Sequence, residues 1–249
     1  MQAAQLSEAA GSNAILSGLS GSEYEHLRPH LQTVRLPFGT NIYNFGDSIS
    51  HVYFPLDAVV CLFTTMENGD TAEAGVIGAE GMLGVSVLFG VKTTPNQAIA
   101  LNANQAVRIR ADILKREFDV GGTLHNVILR YMHSLYVQIS QISACDRIHH
   151  IEGRLCRLLL MALDRTRSNE LFVTQEFISQ MLGTRRPYVT TAAGILQKDG
   201  IINCSRGHIE IIDRYRLEDR SCECYGIIQD EVVETAKTQL LSGRSHFVH

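Results

Sequence analysis

Apolar and polar positions change their rhythm twice along the chain. From about Gln32 to Arg110, short β-prone runs alternate with turn signals at Pro37-Phe38-Gly39, Gly46-Asp47, Asn68-Gly69-Asp70, Gly78 and Gly90. Asn68-Gly69 lies between the runs Val59–Met66 and Thr71–Ile77 and marks a hairpin, because both central residues tolerate positive φ. About seven or eight strands fit in this span, the size of a jelly roll. Ahead of it, Ser20-Gly21-Ser22-Glu23 reads as a capping box that opens a short helix with Tyr24, Leu27 and Leu31, disturbed by Pro29.

From Leu124 the period becomes helical. Leu124, Ile128, Tyr131, Leu135, Ile142 and His149 recur at alternating steps of about 3.5 residues, with Gln138 and Cys145 interrupting the same seam. The spacing predicts a long helix packed against a second copy of itself; the alternative is a helix lying on its own β-domain. A second helix runs from Glu152 to about Arg165 with Leu155, Leu158, Leu159 and Leu163. A polar break follows at Arg167-Ser168-Asn169-Glu170.

The stretch from Thr174 to Ile212 carries the chemistry. Thr174 caps a helix over Gln175–Leu182, with Phe177, Ile178, Met181 and Leu182 on its buried face. Gly183 supplies the left-handed residue that ends it. A second helix runs from about Arg185 to Lys198 with Val189, Ala193 and Leu196 inward. Two short helices on a glycine turn form a helix-turn-helix, in which Ser179 is the small residue at the crossing and Val189 the apolar anchor. Pro187 falls in the first turn, where backbone amides have no helical partner to lose. Arg185, Arg186, Tyr188, Thr190 and Thr191 are left outward, on the end of a recognition helix that enters the major groove. Two β-prone runs around Arg206-Gly207-His208 form a hairpin wing, with Arg206 able to meet a phosphate.

Composition narrows the partners. The net charge is −4, so attraction to nucleic acid must come from local charge rather than from the whole chain. Residues 168–220 hold seven Lys/Arg and seven Asp/Glu, so a helical hairpin in a protein-interaction domain remains the alternative. No apolar run approaches the ~20 residues that span a bilayer, and Met1-Gln2-Ala3-Ala4-Gln5 lacks a basic leader, which predicts a cytoplasmic protein without membrane contact. The six cysteines are then reduced thiols, and no CxxC pair is present.

The run from Thr174 to Val189 resembles the helix-turn-helix of the Crp/Fnr superfamily of bacterial regulators, and Leu196-Gln197-Lys198-Asp199-Gly200-Ile201-Ile202 resembles its entry into the wing. Upstream, Gly39, Gly46-Asp47, Val52-Tyr53-Phe54-Pro55, Gly69-Asp70 and Gly78-Ala79-Glu80-Gly81-Met82-Leu83-Gly84 resemble its cyclic-nucleotide-binding-type β-roll. The resemblance implies an α+β chain: a jelly-roll sensory β-domain at 1–123, a long dimerisation helix at 124–150, and a winged helix-turn-helix domain with its tail at 151–249. It implies a homodimer on a palindromic operator, with double-stranded DNA, RNA polymerase and a small-molecule effector as partners and no required cofactor. Gly78, Glu80, Gly81, Met82, Thr94 and Ser140 are the ligand-pocket candidates, Ser140 from the long helix facing the roll.

Three departures qualify this. The stretch Lys92-Thr93-Thr94-Pro95-Asn96-Gln97 stands where the cyclic-AMP-binding branch holds phosphate with an Arg-Ser pair, which argues against cyclic AMP and leaves Lys92 as the only substitute cation. The first cysteine is Cys61, too late for the N-terminal iron–sulfur ligands of another branch. Pro187 and Thr191 replace the recognition-helix Glu and Arg of the cyclic-AMP branch, so the operator differs.

Other signals point nowhere by themselves. Cys222-Glu223-Cys224 with His208 nearby has one intervening residue, which is not a standard zinc spacing, and His149-His150 reads as seam or solvated face; no metal is expected. The tail Ile227–Leu241 is amphipathic and packs back on the winged domain. There is no nucleophile–base pair or phosphate loop to suggest an enzyme. The competing function is a small-molecule or redox sensor acting through protein contact.

Overall fold

The computed structural model describes residues 11–244 apart from Ala103 and Arg167, with side chains described to residue 238. The leader segment Met1–Gln5 and Arg167 of the polar break lie outside the described residues. Seven strands build the N-terminal roll: β1 (Gln32–Leu36), β2 (Asn41–Tyr43), β3 (His51–Pro55), β4 (Val60–Thr65), β5 (Thr71–Ile77), β6 (Gln97–Ala100) and β7 (Asn104–Arg110). They form an antiparallel three-stranded sheet, β1-β7-β3, and an antiparallel four-stranded sheet, β2-β6-β4-β5. The expected Asn68-Gly69 hairpin joins β4 to β5, with Gly69 at φ 87°.

Two short helices precede the roll, α1 (Ala14–Ser17) and α2 (Gly21–Leu27). The capping box forms as read, Ser20 accepting from the Glu23 amide while the Glu23 carboxylate accepts from the Ser20 amide. Glu23 does more: it also accepts from the amides of Thr123 (2.8 Å) and Leu124 (3.1 Å), capping a helix one hundred residues on. After α3 (Ala111–Val120) comes that long helix, α4 (Gly122–Ile148).

The face that α4 buries corrects the sequence reading. Leu124, Ile128, Tyr131 and Leu135 enter the roll's own core, and Ile142 packs with Met161 and Ile228 of later helices. The seam assigned to a second copy is filled from within the chain. A 3.5-residue period reports one buried face and not what covers it. Leu129, Tyr136 and Ile139 stay exposed, with half-buried Met132 between them. These four recur at steps of three, four and three.

Helix α5 (Ile151–Thr166) leads into a winged domain of α6 (Gln175–Met181), α7 (Arg186–Lys198) and a three-stranded sheet, β8-β10-β9. β9 is Ile202–Ser205 and β10 is His208–Ile211; β8, Glu170–Leu171, comes from the end of the presumed polar break. α8 (Arg214–Arg220) and α9 (Cys224–Arg244) follow, and α9 lies against α4 as well as α5. The tail therefore returns to the long helix too, beyond the winged-domain packing expected.

One hydrophobic core belongs to the roll and α4. A second joins Cys61, Phe63 and Val76 of the four-stranded sheet, with Val59 just before β4, to α5, α6, α7 and the wing. At this join Phe63 meets Phe177 edge-to-face at 5.5 Å, worth about 0.5–1.5 kcal/mol beyond its area. The β-domain and the winged domain are thus welded by apolar burial as well as by the chain.

Candidate nucleic-acid interface

Thr174 accepts from the Phe177 amide and starts α6. Gly183, at φ 54°, turns the chain, and Arg185 stands at the N-cap of α7 with Pro187 inside the first turn. Val189, Ala192, Ala193 and Leu196 are buried, which fixes the rotation of α7 about its axis. The opposite side then presents Arg185, Arg186, Tyr188, Thr190 and Thr191 to solvent. Tyr188 is 57% exposed, more than a tyrosine needs for its hydroxyl alone.

The two threonines differ in freedom. Thr191 donates its hydroxyl to the Pro187 carbonyl (3.0 Å), an internal bond that a base can replace. Thr190 donates to Gln175 Oε1 (2.8 Å) as well as to the Arg186 carbonyl (3.1 Å), so it also ties α7 to α6. Arg206 is exposed at the wing tip, where Gly207 takes φ 74°. A cleft of about 650 Å³ separates the wing from α7, lined by Thr174, Arg186, Gln197 and Arg206 among others. An α-helix with two exposed guanidiniums, and a third across a cleft, is a surface for a phosphate backbone flanking a groove.

The helix-turn-helix is held by charge as well as packing. Arg154 of α5 donates to the Leu182 carbonyl just before the turn and pairs with Asp146 of α4 (3.0 Å). Arg157, fully buried, lies 3.5 Å from the same carboxylate. Facing them from β5 is Glu73, buried, with neither carboxylate oxygen hydrogen-bonded among the described residues. Burial pushes Glu73 up to about 7, against the opposing pull of Arg157.

The ligand-pocket candidates are largely engaged by the chain's own groups, and Glu80 lines a cleft of about 310 Å³ with Ala14, Arg165 and Gln229. Tyr131 of α4 stands over Gly81 and donates to the Met82 carbonyl at 2.8 Å; a Cβ on Gly81 would lie 2.2 Å from its ring. Met82 is buried in the roll core. Glu80 accepts from the Gly78 amide and pairs with Arg165 of α5 at 2.6 Å, and a Cβ on Gly78 would strike both partners. Thr94 is spent within its own loop, donating to the Asn96 carbonyl and accepting from the Asn96 amide. Ser140 does not face the roll: it is exposed, and the residue that reaches the sheet is Gln138, which accepts from the Val76 amide (3.1 Å). Lys92 is exposed.

The cysteine signals regroup as well. Cys222 and Cys224 meet Cys145 and His149, a constellation missed in the sequence, although Cys145 and His149 at i and i+4 share a helix face. His208 is elsewhere, beside Glu170 (3.4 Å) and Phe172, and His150 is exposed. No helix among the described residues is long and apolar enough to cross a membrane.

A cyclic-nucleotide-type roll joined to a winged helix-turn-helix defines a class of DNA-binding regulator, and the comparisons agree. Residues 153–220 match the Crp-like helix-turn-helix domain, and residues 33–119 match the cyclic nucleotide-binding domain. The chain belongs to the Crp/Fnr superfamily of transcription regulators. A protein of Eubacterium rectale described as a regulator of the crp/fnr family is 20% identical, with a TM-score of 0.67 over 84% of this chain and 98% of that one. A CRP-family regulator of Thermus thermophilus is 18% identical (TM-score 0.65; 76% and 96% covered). The c-di-GMP-responsive global regulator CLP of Xanthomonas campestris is 16% identical (0.59; 77% and 99%). No curated protein matches the chain by sequence.

Proposed function

We propose that two copies of this chain bind a palindromic site on double-stranded DNA, each setting α7 into a major groove. The observation that carries this reading is the exposed cluster Arg185, Arg186 and Tyr188 at the start of a helix whose other side is locked by Val189 and Leu196. Arg186 reads a guanine edge or the phosphate beside it, Arg185 and Tyr188 add neighbouring contacts, Thr190 and Thr191 trim the fit, and Arg206 grips a wing-side phosphate. The strip of exposed Leu129, Tyr136 and Ile139 with half-buried Met132 on α4 has the heptad spacing of a two-helix seam and is the face offered to the second copy. Two recognition helices would then meet half-sites about one turn, roughly 34 Å, apart.

Control acts through contacts that reach the winged domain, Glu80 with Arg165 and Phe63 with Phe177 from the roll and Asp146 with Arg154 from α4. An effector shifts these only through a different affinity for two arrangements. Cyclic AMP is a poor candidate, with Tyr131 over Gly81 and no arginine in the Lys92–Gln97 stretch. RNA polymerase is the partner through which such a dimer would act on transcription.

The test is selection from a random duplex pool by the effector-free protein and by Arg186→Ala. The reading expects a palindrome from the native chain and loss of one position's preference in the variant. Enrichment without a palindrome would remove the dimer; no enrichment with or without cell-extract small molecules would remove DNA reading and favour signalling through protein contact.

A further inference from the structure

At the hinge between the long helix and the winged domain, three thiols and an imidazole converge. Cys145 lies in the last turn of α4, His149 is that helix's C-cap, Cys222 sits in the link from α8, and Cys224 opens α9. Their ligating atoms all lie within 4.8 Å of one another. Cys145 Sγ and Cys222 Sγ are 3.4 Å apart, as are Cys224 Sγ and His149 Nδ1. With metal bonds of about 2.3 Å to sulfur and 2.0 Å to nitrogen, a tetrahedral zinc site separates its sulfurs by about 3.8 Å and sulfur from nitrogen by about 3.5 Å. Two pairs of the cluster, at 3.4 Å, are slightly closer than those separations, and the remaining pairs lie within 4.8 Å, so small shifts bring all four atoms to one ion. The constellation is too tight for four ligands at the corners of an iron–sulfur cluster.

The surroundings are those of a metal site. His149 turns its other nitrogen, Nε2, to Glu223 at 3.2 Å. A carboxylate holding Nε2–H leaves Nδ1 free as a ligand, the arrangement that orients metal-bound histidines. Gln141 donates to Cys224 Sγ at 3.2 Å, a bond that favours thiolate. Three thiolates and a neutral imidazole around a divalent ion carry net charge −1. The buried Arg157, whose Nε has no hydrogen-bond partner among the described residues, exerts its charge on both Cys145 and Cys222. Gly153 of α5 lies beside the Cys222 link, where an added Cβ would stand 3.4 Å from the Cys222 nitrogen.

We propose that Cys145, His149, Cys222 and Cys224 bind one soft divalent ion of the zinc class, with Glu223 and Gln141 as supporting partners. The ion clamps the end of the long helix to the link between the last two helices. It would fix the hinge at His149–His150, from which the winged domain departs.

Cobalt(II) is the probe. Reduced, chelator-stripped full-length protein is titrated anaerobically with Co²⁺ and then with Zn²⁺. The expected result is saturation at one Co²⁺ per chain with thiolate-to-cobalt charge transfer and the visible bands of a tetrahedral ion, bleached by Zn²⁺. Cys145→Ser and Cys224→Ser lose these bands, whereas Cys204→Ser, altered at the wing, keeps them. Should a serine variant fail to fold, Glu223→Gln on the surface is expected to bind about 10- to 100-fold more weakly. The proposal is overturned if the reduced native chain shows no charge-transfer band, or if His149→Ala and Glu223→Gln both bind as the native chain does. It is equally overturned if the thiols only form a Cys145–Cys222 disulfide on air exposure and take up no ion when reduced. No DNA enters the assay, so its failure and that of the DNA reading are separable.

Discussion

The winged domain and the sensory roll dispose of their polar groups in opposite ways. At the start of α7, Arg185, Arg186 and Tyr188 are exposed, while a row of buried apolar residues behind them fixes their direction. In the roll, the groups with pocket chemistry are already engaged by the chain: Glu80 by Arg165, the Met82 carbonyl by Tyr131, the Val76 amide by Gln138. Exposed arginines on a rigid helix are free to meet a partner. A pocket filled by its own helix makes any effector compete with side chains already in place. The pocket residues Tyr131 and Met82 belong to the roll's core, while α7 belongs to a second core that reaches the roll only at residues such as Cys61, Phe63 and Val76.

The largest effect is expected in the roll. Tyr131→Ala removes a ring buried over Gly81 and should cost about 3–5 kcal/mol, read as a lowered denaturant midpoint. If a small aromatic molecule added to this variant restores the midpoint, the filled pocket is a real cavity under its plug. If the loss is below about 1 kcal/mol, Tyr131 is not a structural plug.

Next in size is the pH response of Glu73. Its folded-state value, about 7, lies above the ordinary 4.5, so the folded chain holds the extra proton between those values. The sign follows: this group favours the fold below about pH 4.5, and stability falls as pH rises towards 7, by up to about 3 kcal/mol. Glu73→Gln should flatten that slope in chemical denaturation between pH 5 and 8. Parallel pH profiles for the two chains would mean that Arg157 keeps Glu73 charged.

Arg186→Ala is expected to weaken a selected duplex by about 1–3 kcal/mol and to relax one base position. Arg206→Ala should give the smallest change, a uniform loss across sequences with the salt slope reduced by about two, one per subunit. Binding by anisotropy on matched and mismatched duplexes separates the two.

What the sequence disclosed follows the range of the interactions. Thr174, Gly183 and Val189 each do their work within a few residues, Thr174 capping Phe177 and Gly183 turning the chain where it stands, and so the helix-turn-helix could be read residue by residue. The hairpin at Asn68-Gly69 is equally local. The long helix was legible as a helix, but its apolar seam named no partner, and Tyr131, Ile128 and Leu135 turned out to face their own roll. Ser140 was misplaced for the same reason: it lies two residues, about 200° around the helix, from Gln138, which does the reaching. Glu80 stood out in its glycine-rich turn, yet Arg165, 85 residues on, decides what it does. β8 is two residues long, too short to show any period. The Cys145–His149 spacing was present in the chain, but only the fold brings Cys222 and Cys224 to it.

The central claim is that the free end of α7 meets DNA, and salt dependence tests it. The affinity of the effector-free protein for a selected palindromic duplex would be measured from 50 to 200 mM salt. Six or more phosphate contacts across the two subunits predict that affinity falls at least about 10³-fold over that range. A fall of less than tenfold would mean that few phosphates are neutralised, and that the exposed arginines of α7 and the wing serve some partner other than DNA.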